Sequence, residues 1–139
     1  MTLNCIIVDD NSTQRLATLR LINNHPSLNL MGKFTSVVEA KKFLLTTPID
    51  LIIMEVNLSV SDGFDLLDSY IDTPELKTPY VIIISEDASH AFKAFEYNAI
   101  DYLAKPASKK RFNEAIAKTV LQAKMKENFQ DYDGEHIFV

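Results

Sequence analysis

The sequence predicts an α/β domain with a doubly wound parallel sheet of five strands and five helices. Short apolar runs alternate with amphipathic segments, and the connections between them are short. The apolar runs are almost continuous, which is typical of strands covered on both faces. A chain of 139 residues suits one such domain. The predicted strands are "LNCIIV", "LNLMGKF", "DLIIM", "YVIIIS" and the more weakly patterned "AIDYLA".

Apolar residues at helical spacing define the five predicted helices. In the first, Leu16, Leu19 and Ile22 share one face, which indicates that this face packs on the sheet. Ser36 is placed to cap the second helix, because its hydroxyl can accept a hydrogen bond from a backbone N–H of the first turn. The predicted helices span about residues 12–24, 36–45, 63–71, 89–97 and 108–126.

Composition and charge narrow the class of protein. A hydrophobic content of 47% and a charged content of 24% are typical of a globular domain. The net charge of -5 gives nucleic acid and anionic membranes no general electrostatic attraction to these residues. Cys5, the single cysteine, lies in an apolar run, which predicts a core residue and a reducing compartment. No apolar run reaches the length of a membrane span, so a cytoplasmic protein is expected.

Polar side chains follow the predicted strands at the points where the strands end. In a doubly wound sheet the functional site lies beyond the carboxyl ends of the strands, so these side chains are expected to meet. Clustered carboxylates with a lysine opposite suit a Mg²⁺ ion and an anion, which together predict a phosphoryl site. Taken singly, the acids could instead cap a helix, and the lysine could lie at the surface. The polar residues concerned are Asp9, Asp10, Glu55, Ser85 and Lys105, and Pro106 follows the lysine.

Four segments, in this order along the chain, resemble the receiver domain of bacterial response regulators. They are the acidic pair in "VDD", the segment "DLIIMEVNLSVSDG", the hydroxyl in "IIISE" and the ending "DYLAKP". The resemblance covers about residues 3–126 and implies a flavodoxin-like receiver fold with strand order 2-1-3-4-5. It also implies two-component or phosphorelay signal transduction, with a sensor histidine kinase as a partner and no enzymatic activity.

The resemblance implies a role for each carboxylate at this edge. In receivers the second acid of the pair binds Mg²⁺ directly and the first binds it through water, which places these roles on Asp10 and Asp9. An aspartate after the third strand accepts the phosphoryl group, and Glu55 stands in that position. Asn57 would lend its backbone carbonyl, so the implied metal site comprises Asp9, Asp10, Glu55 and Asn57.

The same resemblance implies phosphoryl contacts and a switch. Ser85 and Lys105 would contact the phosphoryl oxygens. Tyr102 matches the aromatic switch residue, whose ring moves inward when the hydroxyl of Ser85 shifts toward the phosphate. Without the resemblance, Tyr102 could equally be an ordinary strand aromatic. The peptide bond between Lys105 and Pro106 is expected to be cis, as is usual in the family.

Glu55 departs from the family pattern at its reactive position. Its side chain has one methylene more than aspartate, which adds about 1.5 Å of reach. A misplacement of roughly 1 Å can cost on the order of a hundredfold in rate, so phosphorylation of Glu55 is not expected. Either the longer carboxylate mimics the phosphoryl group by pairing with Lys105 and Ser85, or the domain serves only as a dimerisation or docking module. Ser59 stands where the family often has proline, which predicts a less rigid loop.

The last part of the chain indicates a subgroup of receivers. The stretch "AFKAFEYNAIDYLAKPASKKRFNEAIAK" is similar to receivers attached to LytTR-type DNA-binding domains. Residues 127–139 are predicted to be a polar linker and the start of such a domain, because "GEHIFV" is similar to its opening strand. A stand-alone receiver with a flexible tail is the alternative. DNA would be contacted only through the further domain, since acids interleave the basic residues of the last helix.

The resemblance also implies a dimerisation surface, formed by the fourth helix, the fifth strand and the fifth helix. Phe92, Phe95 and Tyr97 fall in the predicted fourth helix, where exposed aromatic rings would serve a homodimer. At least one of Phe92 and Phe95 is expected to pack in the core instead.

Two other classes share this architecture. A magnesium-dependent aspartyl phosphatase of the haloacid dehalogenase type also begins with a strand and acids, but Asn11 stands where its second acid is needed. A flavodoxin-like cofactor carrier holds phosphate with hydroxyls and amides in its first loop, and Asp9 and Asp10 would repel that anion.

Overall fold

Five parallel strands form a single sheet at the centre of the molecule. The computed structural model describes residues 1–73 and 76–133. The strand order is β2-β1-β3-β4-β5, which confirms the predicted doubly wound topology. The strands are β1 (Leu3–Val8), β2 (Leu28–Phe34), β3 (Leu51–Met54), β4 (Tyr80–Ser85) and β5 (Asp101–Ala104).

Five α-helices connect and flank the strands. Two differ from the sequence prediction: the fourth is divided into a 3₁₀ turn, Ala88–His90, and a short α-helix, and the fifth continues past residue 126 to Asp133. The helix therefore includes the first part of the predicted linker, and the predicted strand "GEHIFV" lies outside the described residues. Among the described residues, no helix has both the length and the hydrophobicity to cross a membrane. The helices are α1 (Ser12–Asn23), α2 (Val37–Thr46), α3 (Phe64–Asp72), α4 (Ala91–Glu96) and α5 (Lys109–Asp133).

The central strands are buried on both faces because their alternate residues contribute to two separate cores. Burying each large aliphatic side chain stabilises the fold by about 1.5–3 kcal/mol. On the side of α2, α3 and α4, the core includes Ile6, Val8, Ile52, Met54, Phe64, Leu66, Ile83 and Ala94. On the side of α1 and α5, it includes Cys5, Ile7, Ile22, Ile53, Ile82, Ile84, Phe112 and Ile116.

The inward face of α1 is rotated relative to the prediction. Ile22 is buried and Leu19 is partly buried, but Leu16 is 51% exposed. Thr18 is buried instead. The predicted spacing of Leu16, Leu19 and Ile22 was therefore correct only at its carboxyl-terminal end, because apolar spacing alone does not determine the angle at which a helix meets the sheet.

The register of the sheet brings the carboxyl ends of the strands to one edge. Val8 pairs with Met54, and Met54 pairs with Ile83. The backbone N–H of Glu55 donates to the carbonyl of Val8 at 2.9 Å, which keeps β3 level with β1. Polar residues that directly follow the strands are consequently neighbours, as the topology requires.

Asp101 fixes α5 against the edge strand β5. Its carboxylate accepts two hydrogen bonds from Arg111, at 2.7 and 2.9 Å, and one from Lys118 at 2.8 Å. Burial alone would raise the pKa of Asp101, but the hydrogen bonds from Arg111 and Lys118 outweigh it and lower the pKa to about 2. The basic residues at this part of α5 thus serve the fold.

Candidate functional site at the carboxyl edge of the sheet

A buried lysine joins two carboxylates at the carboxyl edge. Lys105 Nζ donates to Asp9 Oδ2 at 2.8 Å and to Glu55 Oε1 at 2.9 Å. Each of the three side chains is less than one-tenth exposed. Burial would lower the pKa of Lys105, but the hydrogen bonds and charges of Asp9 and Glu55 outweigh it and raise the pKa. The three groups therefore form one cluster, in which a single ammonium offsets part of the negative charge of two carboxylates.

The second oxygen of Glu55 folds back onto the loop that follows β3. Glu55 Oε2 accepts a hydrogen bond from the backbone N–H of Val56 at 2.8 Å and another from that of Asn57 at 3.1 Å. Together with the bond from Lys105, these contacts engage both carboxylate oxygens. The extra methylene of glutamate is used to reach the residue's own loop.

The two acids after β1 are also held by the protein. Asp9 Oδ1 accepts from the backbone N–H of Asn11 at 3.0 Å. Asp10 Oδ2 accepts from the backbone N–H of Ser59 at 2.5 Å, and hydrogen bonds from Ser59 are the main reason that the pKa of Asp10 is lowered. A proline at position 59 would lack this donor. The loop predicted to be less rigid is therefore tied to the segment after β1 by a bond that the serine permits.

Ser85 and Tyr102 meet at the loop that follows β4. The hydroxyl of Ser85, which is 1% exposed, accepts from the backbone N–H of Asp87 at 3.2 Å. The hydroxyl of Tyr102 donates to the backbone carbonyl of Asp87, and its ring is half-buried. The hydrogen bonds of the Glu55 carboxylate run to Lys105 and to backbone N–H groups rather than to Ser85. The peptide bond between Lys105 and Pro106 is cis.

The carboxylates at this edge are of the chemical type that binds a hard cation, but they are not arranged around a common point. Asp9, Asp10 and Glu55 supply the oxygens that Mg²⁺ prefers. Lys105, however, lies between Asp9 and Glu55, and Asp10 Oδ2 is bonded to the loop. Within residues 1–73 and 76–133, no three His, Cys, Asp or Glu side chains are arranged to hold a metal ion. A Mg²⁺ ion here would share these oxygens with their present donors, and the metal site stays a prediction.

One residue near the site was not singled out in the sequence. His90 Nε2 lies 2.9 Å from Asn57 Oδ1 and 3.5 Å from Asp87 Oδ2. It thereby links the loops that follow β3 and β4. The sequence feature that could have indicated His90 is its position in the turn that follows the strand ending in Ser85, at the same edge of the sheet as the site.

The backbone of the β3–α3 loop comes back against β3 at Gly63. A β-carbon at this position would lie 2.6 Å from Met54 Cε, 2.7 Å from the carbonyl oxygen of Glu55 and 2.9 Å from Val56 Cα. The N–H of Gly63 donates to the carbonyl of Val56 at 2.8 Å. The glycine thus allows the loop to close tightly behind Glu55.

Both phenylalanines of α4 are exposed. Phe92 is 76% exposed and Phe95 is 78% exposed, whereas Ala94 is the buried residue of the helix. The expectation that at least one of the two rings packs in the core was wrong. The helix is short and places its small residue against the sheet, which turns both rings outward.

Residues 5–117 match the family described as "Response regulator receiver domain". The match covers most of the chain and all of the polar residues at the carboxyl edge. The chain belongs to this family, and it is the receiver domain of a two-component response regulator. Neither the phosphatase class nor the flavodoxin class is the family that matches.

The curated relatives of this chain include proteins named LytT and LytR. The chain is 30% identical over 116 residues to "Sensory transduction protein LytT" of Enterococcus faecalis, which covers 84% of this chain and 47% of that protein. It is 32% identical over 116 residues to "Sensory transduction protein LytR" of Staphylococcus epidermidis, which covers 84% of this chain and 45% of that protein. The chain therefore spans about half the length of these relatives.

Solved structures of receiver domains share the fold. The response regulatory domain of protein mrkE from Klebsiella pneumoniae has a TM-score of 0.76 at 27% identity, covering 88% of this chain and 99% of that one. The REC domain of AraT from Geobacillus stearothermophilus has a TM-score of 0.79 at 23% identity, covering 91% of this chain and 99% of that one. At the latter identity the likeness concerns the fold alone.

The receiver family has general properties that bear on this chain. Receiver domains are typically signalling modules rather than enzymes, and they generally bind Mg²⁺ at an acidic phosphorylation pocket. Response regulators pair with sensor kinases and can dimerise. The cluster of Asp9, Glu55 and Lys105 lies at the edge of the sheet where such a pocket is expected.

Substitution of Gly63 by alanine is expected to destabilise the fold by about 1–3 kcal/mol, because the new methyl group would overlap backbone atoms of Glu55 and Val56. Urea unfolding of the two proteins measures the difference. Gly32→Ala is the matched control: its methyl group would lie 2.8 Å from the ring of Phe34 and 3.7 Å from that of Phe43, and side chains can move where backbone atoms cannot. A Gly63→Ala protein no less stable than Gly32→Ala would contradict the tight closure.

Proposed function

We propose that this receiver works without phosphorylation, as a fixed dimerisation and docking module for an effector domain. In this proposal Glu55 takes the place of the phosphoacceptor aspartate. The observation that carries it is the engagement of both Glu55 oxygens, one by Lys105 and the other by the backbone N–H groups of Val56 and Asn57.

The contacts of Glu55 argue against its acting as a nucleophile. An attacking carboxylate oxygen would have to leave either a buried ammonium or two backbone donors. The longer side chain also displaces the carboxylate by about 1.5 Å relative to aspartate. Phosphoryl transfer depends almost wholly on positioning, so these two effects act in the same direction.

The same contacts favour a fixed module over a mimic of the phosphorylated state. A mimic would direct a Glu55 oxygen toward Ser85, whereas Ser85 bonds to the backbone N–H of Asp87. Glutamate also brings a single negative charge, compared with about -1.5 to -2 on a phosphoryl group. We therefore propose that the domain holds one arrangement rather than switching between two.

Lys105 can take over part of the role that a cation has in the family. Its ammonium offsets part of the negative charge of Asp9 and Glu55 from a buried position between them. In this proposal, Asp9, Asp10, Glu55 and the carbonyl of Asn57 would hold Mg²⁺ weakly, because the ion would share two of these carboxylates with an ammonium and tolerates poor geometry badly. When bound, Mg²⁺ would supply positive charge to an anion at this edge.

The effector and partners are inferred from the relatives. The named relatives are about twice as long as the matched part, and they are sensory transduction proteins of the LytT and LytR type. We propose a LytTR-type DNA-binding domain as the effector, a cytoplasmic location and transcription regulation as the output. A sensor histidine kinase could still dock without transferring phosphate.

Beryllofluoride, a phosphoryl mimic, tests whether Glu55 is reactive. Amide NMR spectra would be followed during addition of Mg²⁺ and then beryllofluoride, for the unsubstituted chain and for Glu55→Asp. We expect only Glu55→Asp to respond, with shifts at Ser85 and Tyr102, because only the shorter carboxylate has the geometry of the family. A response of the unsubstituted chain at these residues would contradict the proposal. So would a stable acyl phosphate on Glu55 in a phosphotransfer assay.

We further propose that the face formed by α4, β5 and α5 binds a second copy of the chain. Phe92 and Phe95 expose most of their surface on α4, side by side on a short helix. Exposed aromatic rings of this size are typical of interaction surfaces. A symmetric pairing would bury the same two rings on each copy.

Sedimentation measures this dimer. Phe92→Ser and Phe95→Ser are each expected to weaken association at least about tenfold, equivalent to about 1.4 kcal/mol, because large aromatic anchors dominate interface energy. Leu45→Ser is the control, since Leu45 is 70% exposed on α2, away from this face. Equal association constants for the three variants, or a monomeric unsubstituted chain, would contradict the proposal.

A further inference from the structure

His90 joins two loops that border the site. Its Nε2 lies 2.9 Å from Asn57 Oδ1 in the loop after β3. Because a carbonyl oxygen only accepts, Nε2 carries the hydrogen of this bond. The same nitrogen lies 3.5 Å from Asp87 Oδ2 in the loop after β4, and the side chain is 29% exposed. The imidazole therefore has partners on both loops.

The Asn57 end of this link is held by Glu55. Glu55 Oε2 accepts from the backbone N–H of Asn57 at 3.1 Å. Asn57 also pairs with Asp62 in an antiparallel bridge that closes the loop. The carboxylate at the end of β3 thus restrains the residue that His90 contacts.

The other end of the link is the start of α4. His90 directly precedes Ala91, the first residue of the helix. With only six residues, α4 is too short to be stable without tertiary contacts, and Ala94 is its only buried residue. The few contacts that hold the helix therefore determine where its exposed face lies.

Phe64 provides the surface on which this helix rests. The ring of His90 meets it edge-on at 6.2 Å between centroids, and the ring of Tyr97 stacks on it at 5.0 Å. Lys93 Nζ lies 4.6 Å from the centre of the same ring. These contacts orient α4 on α3. Two polar contacts join α4 and its first turn to the loop of Glu55: the bond from His90 to Asn57, and a longer, solvent-exposed ion pair between Lys93 Nζ and Asp62 Oδ2 at 3.9 Å. The exposed pair is expected to be the weaker of the two.

We infer that His90 is a positioning residue: through Asn57 it transmits the arrangement of the Glu55 loop to α4, and so sets the face that carries Phe92 and Phe95. This inference rests on the proposed function, because it describes how a Glu55 held in one arrangement would order a distant surface. The path runs from Glu55 Oε2 to the Asn57 backbone, across the Asn57 side chain to His90, and into α4.

A double-mutant NMR experiment on the full chain tests this path. Glu55→Gln keeps the size of the side chain but removes the charge that holds Lys105 and the loop. Its effect on the amide shifts of residues 91–96 would be compared in the unsubstituted background and with His90→Phe, which keeps a ring against Phe64. His90→Gln retains an N–H donor that can reach Asn57, and Ser89→Ala alters the neighbouring residue without touching the link.

We expect Glu55→Gln to shift the α4 amides in the unsubstituted, His90→Gln and Ser89→Ala backgrounds. In the His90→Phe background these shifts should fall at least twofold, while those of Val56 and Asn57 persist. Equal α4 shifts with His90→Phe, or none in the unsubstituted background, would overturn the inference. The beryllofluoride response of the unsubstituted chain decides the proposed function separately, so failure of one is distinguishable from failure of the other.

Discussion

The ammonium of Lys105, buried between Asp9 and Glu55, is the interaction on which the site depends. Two carboxylates at the end of neighbouring strands would repel each other if no positive charge lay between them. Removing one partner from a buried cluster of this kind typically costs about 3–5 kcal/mol, because the remaining charge is left without compensation. The cluster also orients the second oxygen of Glu55. Because Oε1 is bonded to Lys105, Oε2 faces the backbone N–H groups of Val56 and Asn57.

Much of this arrangement could be predicted from the sequence. The continuous apolar runs and the helical spacing between them were sufficient to predict the parallel sheet, because strands buried on both faces have a strongly apolar sequence. The parallel topology then predicts that Asp9, Glu55, Ser85 and Lys105 lie at one edge of the sheet. The sequence also identified Glu55 as the unusual residue, because the surrounding motif shows that the family has an aspartate at this position.

Other features depend on tertiary geometry that local patterns do not contain. The direction of the Glu55 carboxylate, back to Val56 and Asn57 rather than on to Ser85, follows from competing donors in space. Phe92 and Phe95 point outward because α4 packs against the sheet through Ala94. A helix of six residues is too short for its apolar spacing to indicate which side is buried. The role of His90 is also absent from local patterns, because its partner Asn57 is 33 positions away along the chain.

The pKa of Lys105 reports directly on the buried cluster. Because the folded pKa is raised, the cluster's contribution to stability is fully present below the ordinary lysine pKa and is lost as pH rises through the folded value. NMR titration of the Lys105 side chain, in the unsubstituted chain and in Glu55→Gln, measures this pKa. We expect a pKa above that of a free lysine in the unsubstituted chain and a lower pKa in Glu55→Gln, because one of the two negative charges beside the ammonium is removed. A value at or below that of a free lysine, or one unchanged in Glu55→Gln, would contradict this expectation.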